Sequence, residues 1–154
     1  MEIERKFLIK EMPADLDTYD YHIIEQGYLS TEPVVRIRKQ DDEYYLTYKG
    51  SGMMARTEYN LPLTKQAYDH MLPKADGIVI SKKRYLIPLE QDGLTLELDV
   101  FSGELAPLVM GEVEFESVEA ADSFLPPAWF GDDVTNDKRY HNSNMSKGIT
   151  PFTS

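Results

Sequence analysis

The sequence predicts an α+β fold in which an antiparallel sheet closes, or nearly closes, around a charged interior, with helices packed on the outside. Two observations support this fold class. Alternating segments recur through the chain of 154 residues, and in most of them the charged side chains fall at every second position. Short turn sequences such as Asp41-Asp42 connect several of them, which is typical of antiparallel strands. Because successive side chains of a strand point to opposite faces, such a segment has one charged and one largely apolar face.

The first strand is predicted from the second residue to Ile9, and it places Glu2, Glu4 and Lys6 on one face. The stretch from Lys10 to Tyr21 is polar and contains proline, so it is predicted to be a loop or a short helix. The chain therefore begins with two carboxylates and an ammonium group that point the same way.

Four further strands are predicted in the first half of the chain: His22 to Ser30, Val34 to Lys39, Glu43 to Lys49 and Met54 to Leu61. Arg36 and Arg38 share one face of their strand. Lys49 lies in phase with the polar residues of the following strand, and Arg56 and Glu58 share a side of the last one. This part of the chain therefore supplies most of the cations.

Thr64 is predicted to cap a helix that runs to about Ala75. Three strands follow it: Ile80 to Leu89, Leu94 to Phe101 and Val109 to Glu116. The first has a cationic face, through Lys82 and Arg84. The other two have acidic faces, formed by Glu97, Asp99, Glu112, Glu114 and Glu116. Arginine and carboxylate side chains are thus segregated strand by strand, as a binding surface requires.

Ser117 is predicted to cap a short second helix, which ends at Pro126. The tail is rich in turns and contains one predicted helical segment, Asn142 to Lys147. No composition break or linker divides the chain, so residues 1–154 are predicted to form a single domain.

The charged faces, taken together, hold seven cations and eight anions. A half-buried sheet that turns its charged face to water explains any one of these strands. It explains the whole series less well than a barrel that encloses the charges. Enclosed carboxylates suit a hard divalent cation such as Mg²⁺ or Mn²⁺, and clustered arginine and lysine suit phosphate oxygens. A polyphosphate that carries a bound metal ion needs both the carboxylates and the cationic side chains.

Composition limits the other functions. The net charge of −11 opposes binding to nucleic acid and to anionic membranes. The chain has no cysteine, its three histidines lack metal-ligand spacing, and it has no Walker-type glycine loop. The sequence shows neither a signal peptide nor a long apolar run, so the expected location is the cytoplasm.

The opening motif Glu2-Ile3-Glu4-Arg5-Lys6 resembles the Glu-x-Glu-x-Lys signature of the CYTH family, the triphosphate tunnel metalloenzymes. The resemblance covers the whole chain and is specific because the matching segments form an ordered series: Val35-Arg36-Ile37-Arg38, Tyr48-Lys49-Gly50, Arg56-Thr57-Glu58, Lys82-Lys83-Arg84-Tyr85, Glu97-Leu98-Asp99-Val100-Phe101, Glu112-Val113-Glu114-Phe115 and Asp133-Val134-Thr135 through Asp137-Lys138-Arg139-Tyr140. It implies an eight-stranded antiparallel tunnel and metal-dependent hydrolysis of a linear triphosphate. The compact members that hydrolyse inorganic triphosphate are the most similar.

The resemblance also implies roles for particular residues. The expected metal ligands are Glu2, Glu4, Asp99, Glu112, Glu114 and Glu116. The expected substrate-binding residues are Lys6, Arg36, Arg38, Lys49, Arg56, Lys82 and Arg84. Catalytic roles are expected for Glu4, Lys6, Glu58, Lys82, Arg84 and Tyr140, the last of which resembles part of a C-terminal plug. The family suggests a homodimer. An adenylate cyclase and a polyphosphate-binding module without turnover remain as alternatives.

Overall fold

The computed structural model describes residues 1–152, and within that range it shows ten strands and three short α-helices. The strands are Glu2–Ile9 (β1), Tyr21–Thr31 (β2), Val34–Gln40 (β3), Glu43–Lys49 (β4), Ala55–Arg56 (β5), Glu58–Pro62 (β6), Asp76–Pro88 (β7), Thr95–Phe101 (β8), Val109–Glu114 (β9) and Phe130–Asp133 (β10). The helices are Lys65–Met71 (α1), Val118–Ser123 (α2) and Asn142–Ser146 (α3). None of these helices has the length and hydropathy needed to cross a membrane.

The strands form one antiparallel sheet that closes almost completely on itself. Neighbours follow the order β10-β1-β9-β8-β7-β2-β3-β4-β6. The short strand β5 pairs with β1 through Glu2 opposite Arg56 and Ile3 opposite Ala55. Because only Thr57 separates β5 from β6, this segment joins β4 at one edge to β1 at the other. The predicted antiparallel barrel is confirmed.

The strand count differs from the predicted eight for two reasons. The predicted strand from Met54 to Leu61 is interrupted at Thr57, where the chain leaves β1 and crosses to β4. The backbone N–H groups of Gly50 and Glu4 stabilise this crossing, since they donate to the carbonyls of Thr57 at 2.9 Å and Met54 at 3.0 Å. The second addition is β10, a four-residue strand that pairs with the second half of β1. Its sequence has no alternating pattern that could have predicted it.

Strand register brings the charged residues of neighbouring strands onto the same face. Glu4 lies opposite Glu114, and Lys6 lies opposite Glu112. On the other side of β9, Glu112 also faces Glu97. Directly opposed residues of antiparallel strands point to the same side of the sheet, so these pairs all face the barrel interior.

Two apolar clusters pack against the sheet, one on its outer face and one on its inner face, where Tyr28 lies opposite Arg36 and Phe101 lies opposite Lys82. The first joins β1, β7, β8 and β9 to α2 and β10, and its centre includes Phe7, Leu98 and Phe124. Arg5 fastens these elements together: its guanidinium donates to the carbonyl oxygens of Ala121 and Phe124 and to the carboxylate of Asp133. The second cluster lies beneath the C-terminal segment and contains Tyr28, Ile80, Phe101, Tyr140 and Met145.

The predicted helix starts agree with the structure better than the predicted helix ends do. Thr64 and Ser117 accept hydrogen bonds from the backbone N–H groups of Ala67 and Ala120, so both predicted caps are confirmed. Helix α1 ends at Met71, short of Ala75, and a 3-10 turn containing Pro73 follows it. The stretch from Lys10 to Tyr21 contains one 3-10 turn, Leu16–Thr18. Strand β7 begins at Asp76, four residues before the predicted start.

Candidate active site

The barrel encloses a polar cavity of about 180 Å³, which we call the lumen. Twelve of the fifteen residues proposed from the sequence line it: Glu2, Glu4, Lys6, Arg36, Arg38, Lys49, Arg56, Glu58, Lys82, Arg84, Glu112 and Glu114. They come from strands far apart in the sequence, and the closure of the sheet brings them together.

One side of the lumen holds two arginines from β3 that form no ion pair within residues 1–152. Arg36 Nη2 donates to Thr47 Oγ1 at 3.1 Å, whereas its buried Nε has no hydrogen-bond partner in the part of the chain that the structure describes. Arg38 Nε donates to the uncharged Gln26 Oε1 at 2.8 Å. Burial, with Arg36 and Arg84 nearby, lowers the pKa of Arg38 to about 9, so it is charged at neutral pH. These two side chains can bind an anion without first losing a carboxylate.

Lys82 and Arg84, from β7, share a carboxylate that lies behind them. Arg84 Nε and Nη2 donate to the two oxygens of Asp99 at 2.7 and 2.9 Å. Lys82 Nζ lies 2.7 Å from Asp99 Oδ2. Burial outweighs the attraction of Asp99 and lowers the pKa of Lys82 to about 7. The ammonium of Lys82 is therefore close to its titration point at neutral pH.

The N-terminal motif pairs its carboxylates with lysines across the lumen. Lys6 Nζ donates to Glu4 Oε1 at 3.1 Å and to Glu112 Oε1 at 2.8 Å. Burial alone would lower the pKa of Lys6, but Glu112 and Glu4 outweigh it and raise that pKa. Lys49 Nζ donates to Glu2 Oε1 at 2.8 Å and lies 3.5 Å from Glu58.

The opposite side of the lumen is acidic and short of cations. Burial and the neighbouring carboxylates of Glu2 and Glu97 raise the pKa of Glu114. Burial also raises the pKa of Glu97, and Glu112 adds to this effect although Arg84 opposes it. Among the described residues, Glu114 makes no ion pair and is exposed to solvent at the edge of the lumen, whereas Glu97 Oε2 lies 3.3 Å from Arg84 Nη1. A cation bound beside these two side chains would relieve their mutual repulsion.

The donor set on this side fits a hard divalent cation. It consists of carboxylate oxygens, which are the ligands that Mg²⁺ and Mn²⁺ prefer, and it is crowded enough to raise two carboxyl pKa values. Within residues 1–152, no three acidic or imidazole groups are already arranged around one point. The reason is visible in the contacts, since Glu4 and Glu112 are turned onto Lys6 and Glu2 is turned onto Lys49.

Three residues proposed from the sequence lie outside the lumen lining. Asp99 is fully buried and its oxygens are occupied by Lys82 and Arg84. Glu116 lies beyond the end of β9, on an outer cleft that includes Met1 and Thr95. Tyr140 packs in the second apolar cluster, beneath the C-terminal segment, and is not among the residues that line the lumen. The structure therefore does not bring these three side chains to the cavity.

Seven lining residues were not proposed as site residues from the sequence: Tyr28, Val34, Asn60, Glu97, His141, Asn142 and Ser143. Glu97 could have been found, because it lies in phase with Asp99 on the charged face of its strand. The others are uncharged and carry no comparable signal. His141 is buried, and its Nε2 must donate to the carbonyl of Thr135 at 2.8 Å, since a carbonyl only accepts.

Comparison with known proteins gives consistent results. A sequence profile of the CYTH domain matches residues 1–144. The curated inorganic triphosphatase of Nitrosomonas europaea is 41% identical over 153 residues, covering 96% of this chain and 98% of that protein. The curated inorganic triphosphatase of Acetivibrio thermocellus is 35% identical over 150 residues, covering 95% and 93%.

Solved structures show the same barrel. The crystal structure of an inorganic triphosphatase matches with a TM-score of 0.71 and 39% identity, over 97% of both chains. A putative adenylate cyclase of Bacillus halodurans shares the fold at a TM-score of 0.58 and 22% identity, over 79% of this chain and 84% of that one. With the family profile matching nearly the whole chain, this protein belongs to the CYTH family.

Proposed function

We propose that the protein hydrolyses inorganic triphosphate to diphosphate and phosphate, with Mg²⁺ or Mn²⁺ as its cofactor. The observation that supports this proposal is the separation of unpaired charge across the lumen. Within residues 1–152, Arg36 and Arg38 have no anionic partner on one side, and Glu114, exposed at the edge of the lumen, has no cationic partner on the other. A phosphate chain bound to a divalent cation supplies both missing partners. The similarity to curated inorganic triphosphatases supports the choice of substrate.

The size and lining of the lumen favour an inorganic triphosphate over a nucleotide. A cavity of about 180 Å³ is smaller than the ~300 Å³ at which pockets for drug-sized ligands begin. Its lining contains the rings of Tyr28 and His141 and one aliphatic side chain, Val34, and His141 is buried and hydrogen-bonded to the carbonyl of Thr135. An adenine ring would need an apolar or aromatic surface to stack on. The lumen instead offers charges and amides throughout.

The fixed cations of the lumen are suited to phosphoryl transfer. The charge of the phosphate chain redistributes onto the leaving diphosphate and the transferring phosphoryl group as the bond breaks. Guanidinium and ammonium groups held in place by the sheet stabilise that charge without reorganising. Arg36 and Arg38 have free donors for phosphate oxygens, and Arg84 is held rigidly by its two bonds to Asp99. Lys6, Lys49, Arg56 and Lys82 complete the cationic lining.

Glu2, Glu4, Glu97, Glu112 and Glu114 would hold the divalent cation. When bound, the cation neutralises phosphate oxygens and lowers the pKa of water. The proposed ligand set adds Glu97 to the residues expected from the sequence and leaves out Asp99 and Glu116. Glu58 pairs with Lys49 and helps to orient it.

The proton of the attacking water would pass to a lumen carboxylate that does not hold the cation, because a bound cation lowers the pKa of its own ligands. Without the cation, burial and nearby negative charge raise the pKa values of Glu97 and Glu114, so whichever of the two does not bind the cation is the stronger base. No covalent intermediate is required.

A product assay tests the proposal. Purified protein is incubated with Mg²⁺ or Mn²⁺ and, separately, with inorganic triphosphate, ATP and thiamine triphosphate, and phosphate, diphosphate and cyclic AMP are measured. We expect phosphate and diphosphate from inorganic triphosphate, and loss of this activity when the metal is chelated. Arg36→Gln removes lumen charge, whereas Arg139→Gln removes an exposed arginine paired with Asp137 and serves as the matched control.

The products separate the alternatives. Cyclic AMP from ATP would replace the proposed function with an adenylate cyclase. Tight binding of triphosphate without any product would indicate a polyphosphate-binding module. Equal activity in Arg36→Gln and Arg139→Gln would show that the lumen is not the site.

A further inference from the structure

Two uncharged amides lie between predicted substrate cations on opposite sides of β2. Gln26, from β2, is fully buried, and Asn142, the first residue of α3, is buried beside it. Gln26 Nε2 donates to Asn142 Oδ1 and to Tyr28 Oη, each at 3.4 Å. Arg38 Nε donates to Gln26 Oε1 at 2.8 Å, and Lys82 Nζ donates to Asn142 Oδ1 at 3.2 Å. A continuous hydrogen-bonded chain therefore joins the two cations.

The cations at its ends fix the direction of this chain. Arginine and lysine can only donate, so the amide oxygen of Gln26 must face Arg38 and that of Asn142 must face Lys82. The Gln26 nitrogen is then left to donate to Asn142. Each amide thus has one orientation that satisfies its neighbours.

The two amides contact Arg38 and Lys82 without adding a negative charge beside either cation. Elsewhere in the lumen, carboxylates hold the cations: Glu4 and Glu112 bind Lys6, and Glu2 binds Lys49. A carboxylate beside a substrate-binding cation competes with phosphate for it, whereas an amide oxygen only orients it. Arg38 has the amide contact alone, and the amide gives Lys82 a second contact besides Asp99.

We propose that Gln26 and Asn142 are positioning residues that orient Arg38 and Lys82 for triphosphate without adding a negative charge that would compete with it. This inference rests on the proposed function of the lumen. It also assigns a role to α3: the helix contributes Asn142, and through it the second contact of Lys82. The amides must be neutral for the arrangement to work.

The variant Asn142→Asp tests the need for a neutral group. It has the same shape and keeps both acceptor contacts, so it is expected to fold, but it places a carboxylate 3.2 Å from Lys82 Nζ. We expect the KM and the dissociation constant for triphosphate to rise about tenfold or more, because one hydrogen bond to a charged group is worth about that factor. Asn136→Asp is the matched control, since it makes the same change of charge at an exposed position in the turn that precedes α3.

A double-variant cycle tests whether the amides act together. Asn142→Leu removes the acceptor of Lys82, and Gln26→Leu removes the acceptor of Arg38. We expect each to lower kcat/KM about 10- to 100-fold, and the double variant to lose less than the product of the two losses. Thermal unfolding of each variant shows whether it is folded, and Asn142→Asp keeps the test decisive if the leucine variants are not.

The outcomes are distinct from those for the proposed function. Wild-type KM and affinity in Asn142→Asp would overturn the inference, as would independent losses in the cycle, even if the wild-type protein hydrolyses triphosphate. A wild-type protein that binds triphosphate without hydrolysing it would overturn the proposed function alone, because affinity still tests the positioning. A wild-type protein that neither binds nor hydrolyses triphosphate would overturn both.

Discussion

Arg36 and Lys6 occupy the same lumen and are both nearly fully buried, but their surroundings differ. Lys6 is bound by two carboxylates, whereas Arg36 has a single uncharged partner and an unsatisfied Nε. Removing a buried charge that has good partners destabilises the folded protein, because those partners are left unpaired. A buried charge without partners is itself unfavourable for the folded state. The two residues therefore make opposite contributions to the stability of the ligand-free protein.

Substitutions at these positions test this contrast. We expect Lys6→Met to lower the free energy of unfolding by about 3 kcal/mol, since Glu4 and Glu112 lose their shared cation. We expect Arg36→Leu to leave it unchanged or to raise it by about 1 kcal/mol while abolishing triphosphate binding. Urea denaturation without ligand measures both. An equal loss of stability in the two variants would contradict the proposal that Arg36 is left without an anionic partner in the free protein in order to bind phosphate.

The lowered pKa of Lys82 predicts that triphosphate binding takes up a proton to a degree that depends on pH. Burial lowers its pKa to about 7 in the free protein, so at pH 8 most of the ammonium is deprotonated and at pH 6 most of it is charged. A bound polyanion favours the charged form and raises the pKa, so triphosphate binding takes up a proton at pH 8 and much less at pH 6.

Calorimetry in two buffers with different ionisation enthalpies measures this uptake. Lys82→Arg is the control, because arginine stays charged at both pH values and leaves only the protons taken up by other groups. Equal proton uptake by the two proteins at pH 8 would contradict the prediction.

At the scale of elements, the sequence predicts which side chains share a strand face. It does not predict which residues the C-terminal segment contributes to the lumen. The period of two in residues such as Lys82 and Arg84 places both on one face whatever the tertiary structure is. The contact between Gln26 and Asn142 joins residues 116 positions apart, and neither side chain has a charge that marks it as functional. The break at Thr57 likewise depends on barrel closure, which no local pattern encodes. Tyr140 was singled out, but His141 to Ser143 reach the cavity instead.

Gly77 is the point where α3 rests against β7. Its φ is +68°, and a Cβ there would lie 1.9 Å from the carbonyl oxygen of Ser146. Gly77→Ala should therefore displace the helix that contributes Asn142. We expect a loss of stability of at least about 2 kcal/mol and a fall in triphosphatase activity.

Gly93→Ala is the matched control, because Gly93 has the same φ of +68° and nothing within 4 Å of its added Cβ. It should lose about 1 kcal/mol from backbone strain and keep its activity. Thermal unfolding measures the stability of both variants, and phosphate release measures their activity. Equal losses of stability and activity in the two variants would contradict the close packing of α3 against Gly77.

For the whole molecule, the charge distribution separates the lumen from the surface. Inside the barrel, seven cations are balanced by seven carboxylates, if Asp99 is counted with the six that line the cavity. The net charge of −11 therefore lies on the outside. An acidic exterior repels free polyphosphate at long range, while the lumen provides the local cations that phosphate needs. Complexing the substrate with a divalent cation reduces that repulsion and also fills the acidic side of the lumen.

Phosphorus NMR of inorganic triphosphate incubated with the protein tests the central claim most directly. In the presence of Mg²⁺ or Mn²⁺, the triphosphate signals should be replaced by equal amounts of phosphate and diphosphate. Chelation of the metal or the substitution Arg36→Gln should stop the reaction. Triphosphate that stays intact with the wild-type protein and either metal would contradict the account.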